Sequence, residues 1–135
     1  MIDAKVTVET ATLDGAALEY AAGGAAGQDL VVVPAAGEGQ RPTVALAYFQ
    51  SLEWAPLTNP AQMWELVDAH LLELGECMEP ECGWSQMADG KQYYASAELG
   101  AVGVGSSKGI AALRAMVQAK HGYHVDVPAA LVVVQ

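Results

Sequence analysis

The sequence predicts an α+β domain, a small and mostly antiparallel β-sheet packed with about three α-helices in a single unit spanning residues 1–135. Three observations point there. Ser106-Ser107-Lys108 opens an amphipathic stretch that stops at Gly122 and turns at once into His124-Val125-Asp126-Val127-Pro128, a helix followed by a short strand. Val31-Val32-Val33 is a run of β-branched residues suited to a pleated, buried setting. Asn59-Pro60-Ala61-Gln62 carries the signature of a helix start, with a favoured N-cap, a proline at the first helical position and a glutamine placed for a capping box. A chain of 135 residues is near the usual size of one domain and buries about two thirds of its unfolded surface.

The elements follow in order. Lys5 to Glu9 alternates as a half-buried strand does. Thr12 is placed to cap a short helix through Leu13, Ala16, Ala17, Leu18, Tyr20 and Ala21, and the glycines from Gly23 to Gly27 read as its flexible end. Asp29 to Val33 is a strand that Pro34 ends, Ala35 to Gln40 a loop, and Thr43 to Phe49 a strand or a helix that periodicity does not separate. From Pro60 a helix is expected to about Leu74, because Met63, Val67, Leu71 and Leu74 share one stripe and Gly75 stops it. In that reading Glu73 and Glu76 lie at the negative end of the helix dipole, a cost of up to ~1 kcal/mol each at low salt.

Lys91 to Leu99 reads as a strand, and Gly100 to Gly105 as a glycine-rich bend into the last helix. In that helix Ile110, Leu113 and Val117 make the core stripe, Ala111, Ala112 and Ala115 allow close approach, and Lys108, Arg114 and Gln118 face out. Lys120 and His121 occupy the last turn, where positive charge is favoured.

Charge limits the function classes. The net charge is −10, and Pro42 to Gly90 holds no Lys or Arg against Glu53, Glu65, Asp68, Glu73, Glu76, Glu79, Glu81 and Asp89. Direct nucleic-acid binding is not expected of such a surface, since phosphate contacts need clustered cations. The acids read first as a solvated face that keeps an apolar chain in solution. The sharper expectation is a docking face for a basic partner built from Glu65, Asp68, Glu73, Glu76, Glu79 and Glu81. The apolar runs, such as Leu30 to Pro34, fall short of the ~20 residues of a membrane span, and Met1-Ile2-Asp3 lacks the basic start of a signal peptide. The expected setting is the cytoplasm.

The remaining motifs have plain structural readings. Gly100 to Gly109 has glycine spacing that suggests an anion cradle at Gly105, Ser106, Ser107 and Lys108, but Ser106 stands where a phosphate loop needs lysine. Cys77 and Cys82 offer one ligand pair of the four that a closed zinc site needs, and the sequence leaves free thiols or a disulfide open. Neither cysteine is placed as a nucleophile, because Glu76, Glu79 and Glu81 would raise its pKa. Asp14, Glu19 and Asp126 could act as paired carboxylates only if the fold united them. His70 reads as a boundary residue, and Trp54, Trp64 and Trp84 read as core in preference to an exposed aromatic patch. No cofactor, metal or catalytic residue is expected.

Both ends of the chain support a family resemblance. Leu13-Asp14-Gly15-Ala16-Ala17-Leu18-Glu19-Tyr20-Ala21, with Ile110-Ala111-Ala112-Leu113-Arg114, Gly122, Val125-Asp126-Val127-Pro128 and Leu131, resembles the NinX-like phage proteins. The middle departs from that pattern: Trp54 is followed by Pro56 and Asn59-Pro60, without the Gly-Gly-Pro stretch common in the family. The resemblance implies a shared fold and a phage or prophage origin, hence a bacterial host cytoplasm. It transfers packing and turn residues and no catalytic one. The expected role is an accessory protein that binds a host or phage protein, with a homodimer as a further expectation and an anion-binding protein or enzyme as the alternative.

Overall fold

The computed structural model describes residues 5–33, 42–76 and 93–132. These form an α+β arrangement of three helices and eight strands, and every described strand pairing is antiparallel. The strands divide among three small sheets. Strand β1 (Lys5–Glu9) pairs with β8 (His124–Pro128); β2 (Leu30–Val33), β3 (Thr43–Leu46) and β4 (Phe49–Glu53) form the second; β5 (Leu71–Glu76), β6 (Tyr93–Ala97) and β7 (Val102–Gly105) form the third. Thr43 to Phe49 is thereby resolved as strand, broken by a turn at Ala47 and Tyr48.

Helix α1 (Gly15–Ala25) starts two residues later than the sequence suggests. Thr10 to Thr12 form a 3-10 turn, and the cap is Asp14, whose Oδ1 accepts from the Gly15 amide at 2.7 Å. The helix also runs through Gly23 and Gly24, where local pattern predicts a flexible end. Packing demands that glycine: a Cβ at Gly23 would overlap Leu30 and the Trp54 indole. A Schellman motif closes the helix, with Gly27 N–H donating to Gly24 O, Gln28 N–H to Gly23 O, and Gly27 at φ 89°.

Helix α3 (Lys108–His121) is the centre of the molecule. Its Leu113, Met116 and Val117 meet Leu18, Ala21 and Ala22 of α1 and Val125 and Val127 of β8 in the main core, where fully buried Leu18 and Leu113 each contribute about 1.5–3 kcal/mol. On its other side Ala111, Ala112 and Ala115 join Ala95, Ala97 and Ala101 in an alanine layer against the third sheet. Small side chains bring helix and strand so close that β7 needs glycine. A methyl at Gly103 would overlap the backbone of Ala111 and Ala115, and one at Gly105 would overlap Ile110. Of the glycine-rich stretch read as a bend, Val102–Gly105 is therefore a strand whose Gly103 and Gly105 answer to packing, while Gly100 ends a 3-10 turn at φ 77°.

Two residues expected to face solvent from α3 turn back onto backbone. Arg114 donates from Nε to Leu13 O at 2.9 Å and from Nη1 to Val104 O at 2.7 Å, while the Val102 amide donates to Gln118 Oε1 at 2.6 Å. Burial lowers the Arg114 pKa, with the Asp14 carboxylate acting in the opposite sense. Gly122 ends the helix at φ 82°, ψ −148°, a region open essentially to glycine, and its carbonyl accepts from the buried Thr10 hydroxyl at 2.8 Å. Residues from both ends of the chain, Leu13, Ala17 and Leu18 with Leu113, Val125, Val127 and Leu131, thus share one core. Among the described residues no helix is long and apolar enough to cross a membrane.

Candidate functional site

Helix α2 (Pro60–His70) begins as the sequence predicts, with Asn59 Oδ1 accepting from the Ala61 and Gln62 amides at 3.0 and 3.3 Å. Gln62 does not return to the cap. It is buried, its Oε1 accepting from the Ala55 amide at 2.8 Å and its Nε2 donating to Glu53 O at 2.9 Å. With Leu66 it defines the inner face, flanked by half-buried Met63 and Val67. The outer face is Ala61, Trp64, Glu65, Asp68 and Ala69, all exposed. Trp64 and Asp68 are one helical step apart, as are Ala61 and Glu65, so an indole and two carboxylates share a surface. Trp64 is 68% exposed, against 4% for Trp54, whose Nε1 donates to Glu19 O at 2.8 Å. The tryptophans therefore separate into a core residue and a surface one, with Trp84 outside the described residues.

The helix ends at His70, and Leu71 begins β5 without an intervening loop. This corrects the expected helix to Leu74. The Leu71 and Leu74 positions fit a helical stripe, but pairing of Leu71–Glu76 with β6 wins locally. Glu73 consequently has no helix dipole to oppose. It sits on an exposed strand position and accepts from the Tyr94 hydroxyl at 2.7 Å, while the Tyr94 ring covers Gly75. Of the six acids expected at a docking face, Glu65 and Asp68 lie on the outer face of α2 and Glu73 and Glu76 on β5. Glu79 and Glu81 are outside the described residues, as are Cys77 and Cys82.

At the turn before α3, Ser107 is the N-cap, its Oγ accepting from the Ile110 amide at 3.1 Å. Ser106 and Lys108 are exposed, and the Lys108 ammonium lies 6.0 Å from the Tyr93 ring centroid. Gly105 is buried against Ile110. The turn thus presents one hydroxyl and one ammonium to solvent, with the Ser107 oxygen engaged in the cap.

The three carboxylates singled out from the sequence serve different elements. Asp14 caps α1, and Asp126 accepts from the Thr7 hydroxyl between β8 and β1. Glu19 is 8% exposed, and its Oε2 accepts from the Leu57 amide at 2.9 Å. Burial raises its pKa, the Leu57 N–H pulls it down, and the nearby Glu53 charge raises it again. Glu19 and Gln62 together fasten the Glu53-to-Leu57 connection from inside, a role no local sequence signal announces. An open groove of about 410 Å³ lies at the start of α1 between Leu13, Ala16, Leu131 and Val132, with Thr12 and Asp14 at its wall. Its walls come from opposite ends of the chain, so spacing could not reveal it.

No protein-family model matches the chain, and no curated protein matches it.

Proposed function

We propose that the chain is a phage- or prophage-related accessory protein of the NinX-like kind, a non-enzymatic interaction module that docks a basic host or phage protein in the bacterial cytoplasm. The observation that carries this reading is Trp64, an exposed indole on the same outer face of α2 as Glu65 and Asp68. An indole left in water gains from being covered, and binding energy concentrates on aromatic anchors enclosed by weaker contacts. The neighbouring carboxylates set the sign of the partner. They belong to a stretch, Pro42 to Gly90, with no compensating Lys or Arg, in a chain of net charge −10. Rim charges of this kind steer encounter and select partners, while the indole supplies affinity. Glu73, Glu76, Glu79 and Glu81 extend the acidic set along the sequence.

A pull-down from host lysate tests the reading. A basic protein should be retained at low salt and released at high salt, as screening weakens exposed charge pairs. Trp64→Ala, and separately Glu65→Lys with Asp68→Lys, should each weaken retention about tenfold or more. Full retention by both variants, with circular dichroism unchanged, would sink it.

The alternative is an anion held at Gly105, Ser106, Ser107 and Lys108, favoured by the exposure of Ser106 and Lys108 beside the start of the 14-residue helix α3. It has less to draw on, because the Ser107 oxygen is engaged and Lys108 lies over Tyr93. A thermal-shift series with inorganic phosphate, nucleotides and divalent metals separates the two readings, since a ligand of the native state raises Tm.

A further inference from the structure

Among the described residues three aromatic rings stand largely in water, Tyr48 and Tyr123 at 76% exposure and Trp64 at 68%. Tyr48 occupies the turn between β3 and β4, and Tyr123 lies between the Gly122 stop and β8. Trp64 alone of the three stands on a helix, where spacing fixes its neighbours. Asp68 follows it at i+4 and lies in turn at i+3 from Glu65, so the three form a triangle on the outer face of α2. Helical side chains lean towards the N-terminus of their helix, which sets the indole over the turn of Pro60 and Ala61 and the Asp68 carboxylate over the turn of Trp64. Pro60 and Ala61 are small and exposed, and neither can cover an indole ring.

Negative charge is crowded beside the ring. Glu65 and Asp68 are like charges on adjacent turns, and Asp68 falls in the last turn of α2, at the negative end of the helix dipole. Among the described residues neither carboxylate has a hydrogen bond or an ion pair. The helix cannot relieve the crowding by rotating, because buried Leu66 and the two Gln62 bonds fix which side faces in. A cation on this face would be welcomed by both carboxylates and by the helix end, and Pro42 to Gly90 supplies none.

We infer that this face binds arginine: the guanidinium of an exposed arginine on the partner lies flat on the Trp64 indole and turns its N–H edge to Asp68 and Glu65. The inference rests on the docking reading above and narrows the partner's chemistry from basic to arginine. Side chains one helical step apart have Cβ atoms about 5–6 Å from each other, so the bound group must meet an aromatic plane and two carboxylates at once. A guanidinium does both, because its face stacks while five donors point outward in its plane. A lysine ammonium is a compact, strongly hydrated charge with no face to stack. Set over the ring it gives up the carboxylates, and set between the carboxylates it leaves the indole in water. Tryptophan is also the best ring for a cation, and arginine its commoner partner.

The probes are short Gly-Ser peptides, identical except that the variable positions carry arginine, lysine or citrulline, the neutral isostere of arginine. Binding to the full chain is read by calorimetry at low salt. The arginine peptide should bind about fivefold tighter than the lysine peptide and about tenfold tighter than the citrulline peptide. Trp64→Leu should abolish the preference for arginine over lysine and leave a weaker, salt-sensitive attraction of both. Glu65→Gln with Asp68→Asn should weaken both cationic peptides about fivefold. The three peptides compared on the wild type need no variant, so a variant that fails to fold still leaves a decision. Equal affinity for arginine and lysine overturns the inference, as does an arginine preference that survives Trp64→Leu, or binding of neither cationic peptide at millimolar concentration. Each of these outcomes leaves the broader docking reading to the pull-down, where a folded basic protein can still be retained.

Discussion

Helices α2 and α3 both start from a polar cap, Asn59 and Ser107, and both carry one side of polar residues, yet they use those residues in opposite ways. On α3, Arg114 and Gln118 bend back to the carbonyl of Val104 and the amide of Val102, so the helix is stitched to β7 as well as packed on it. On α2, Gln62 alone turns inward, and Trp64, Glu65 and Asp68 remain on the surface. The difference follows from what each helix faces. Alanines and glycines draw β7 within side-chain reach of α3, whereas the outer face of α2 has no described backbone to bind. Polarity on a helix wheel therefore marks a solvated face in one case and a clamp in the other.

Four substitutions would break or sharpen the contrast. Gly103→Val forces β7 off the α3 backbone and should cost about 3 kcal/mol, near the upper end for overpacking, read as a fall in the denaturant midpoint. Ser107→Ala removes the cap of α3 and should cost about 1 kcal/mol by the same measurement.

Glu19→Gln tests the fastening inside the α2 approach. Because burial raises the folded-state pKa of Glu19, its protonation favours the native state. That contribution is complete below the unfolded value of about 4.5 and is lost as pH rises through the folded value. The wild type should lose stability relative to Glu19→Gln as pH climbs above about 4.5, followed as Tm against pH. Trp64→Ala should change folding stability by no more than about 0.5 kcal/mol, because its side chain is largely in water. A large loss there would move Trp64 from the docking face to the structural frame and erase the contrast between the helices.

Local pattern was sufficient where local chemistry and tertiary packing agree. The β1, β2, β6 and β8 strands, the α3 helix with its Ser107 cap and Gly122 stop, and the start of α2 at Asn59-Pro60 could all be read in advance. The exposed pair Glu65 and Asp68 was legible too, from charge and helical spacing. Reading failed where a distant segment chose between two acceptable conformations. Leu71 to Leu74 suits a helix until β6 arrives to pair with it, and Gly23 suits a loop until Trp54 and Leu30 pack against its missing side chain. Trp64 is a similar case: an indole looks like core in composition, and only the orientation of α2, set by Leu66 and the Gln62 bonds, turns it outward.

Caps, stops, β-branched runs and charge distribution act within a turn or two of the chain, so the α+β class, most element positions and the acidic character of the middle segment were inherent in the order of residues. The division of strands among three sheets, the end of α2 at His70, the inward turn of Arg114 and Gln118 and the burial of Glu19 depend on contacts between residues far apart in the chain. Those contacts are settled by the competition for buried volume and backbone hydrogen bonds, which no local window contains.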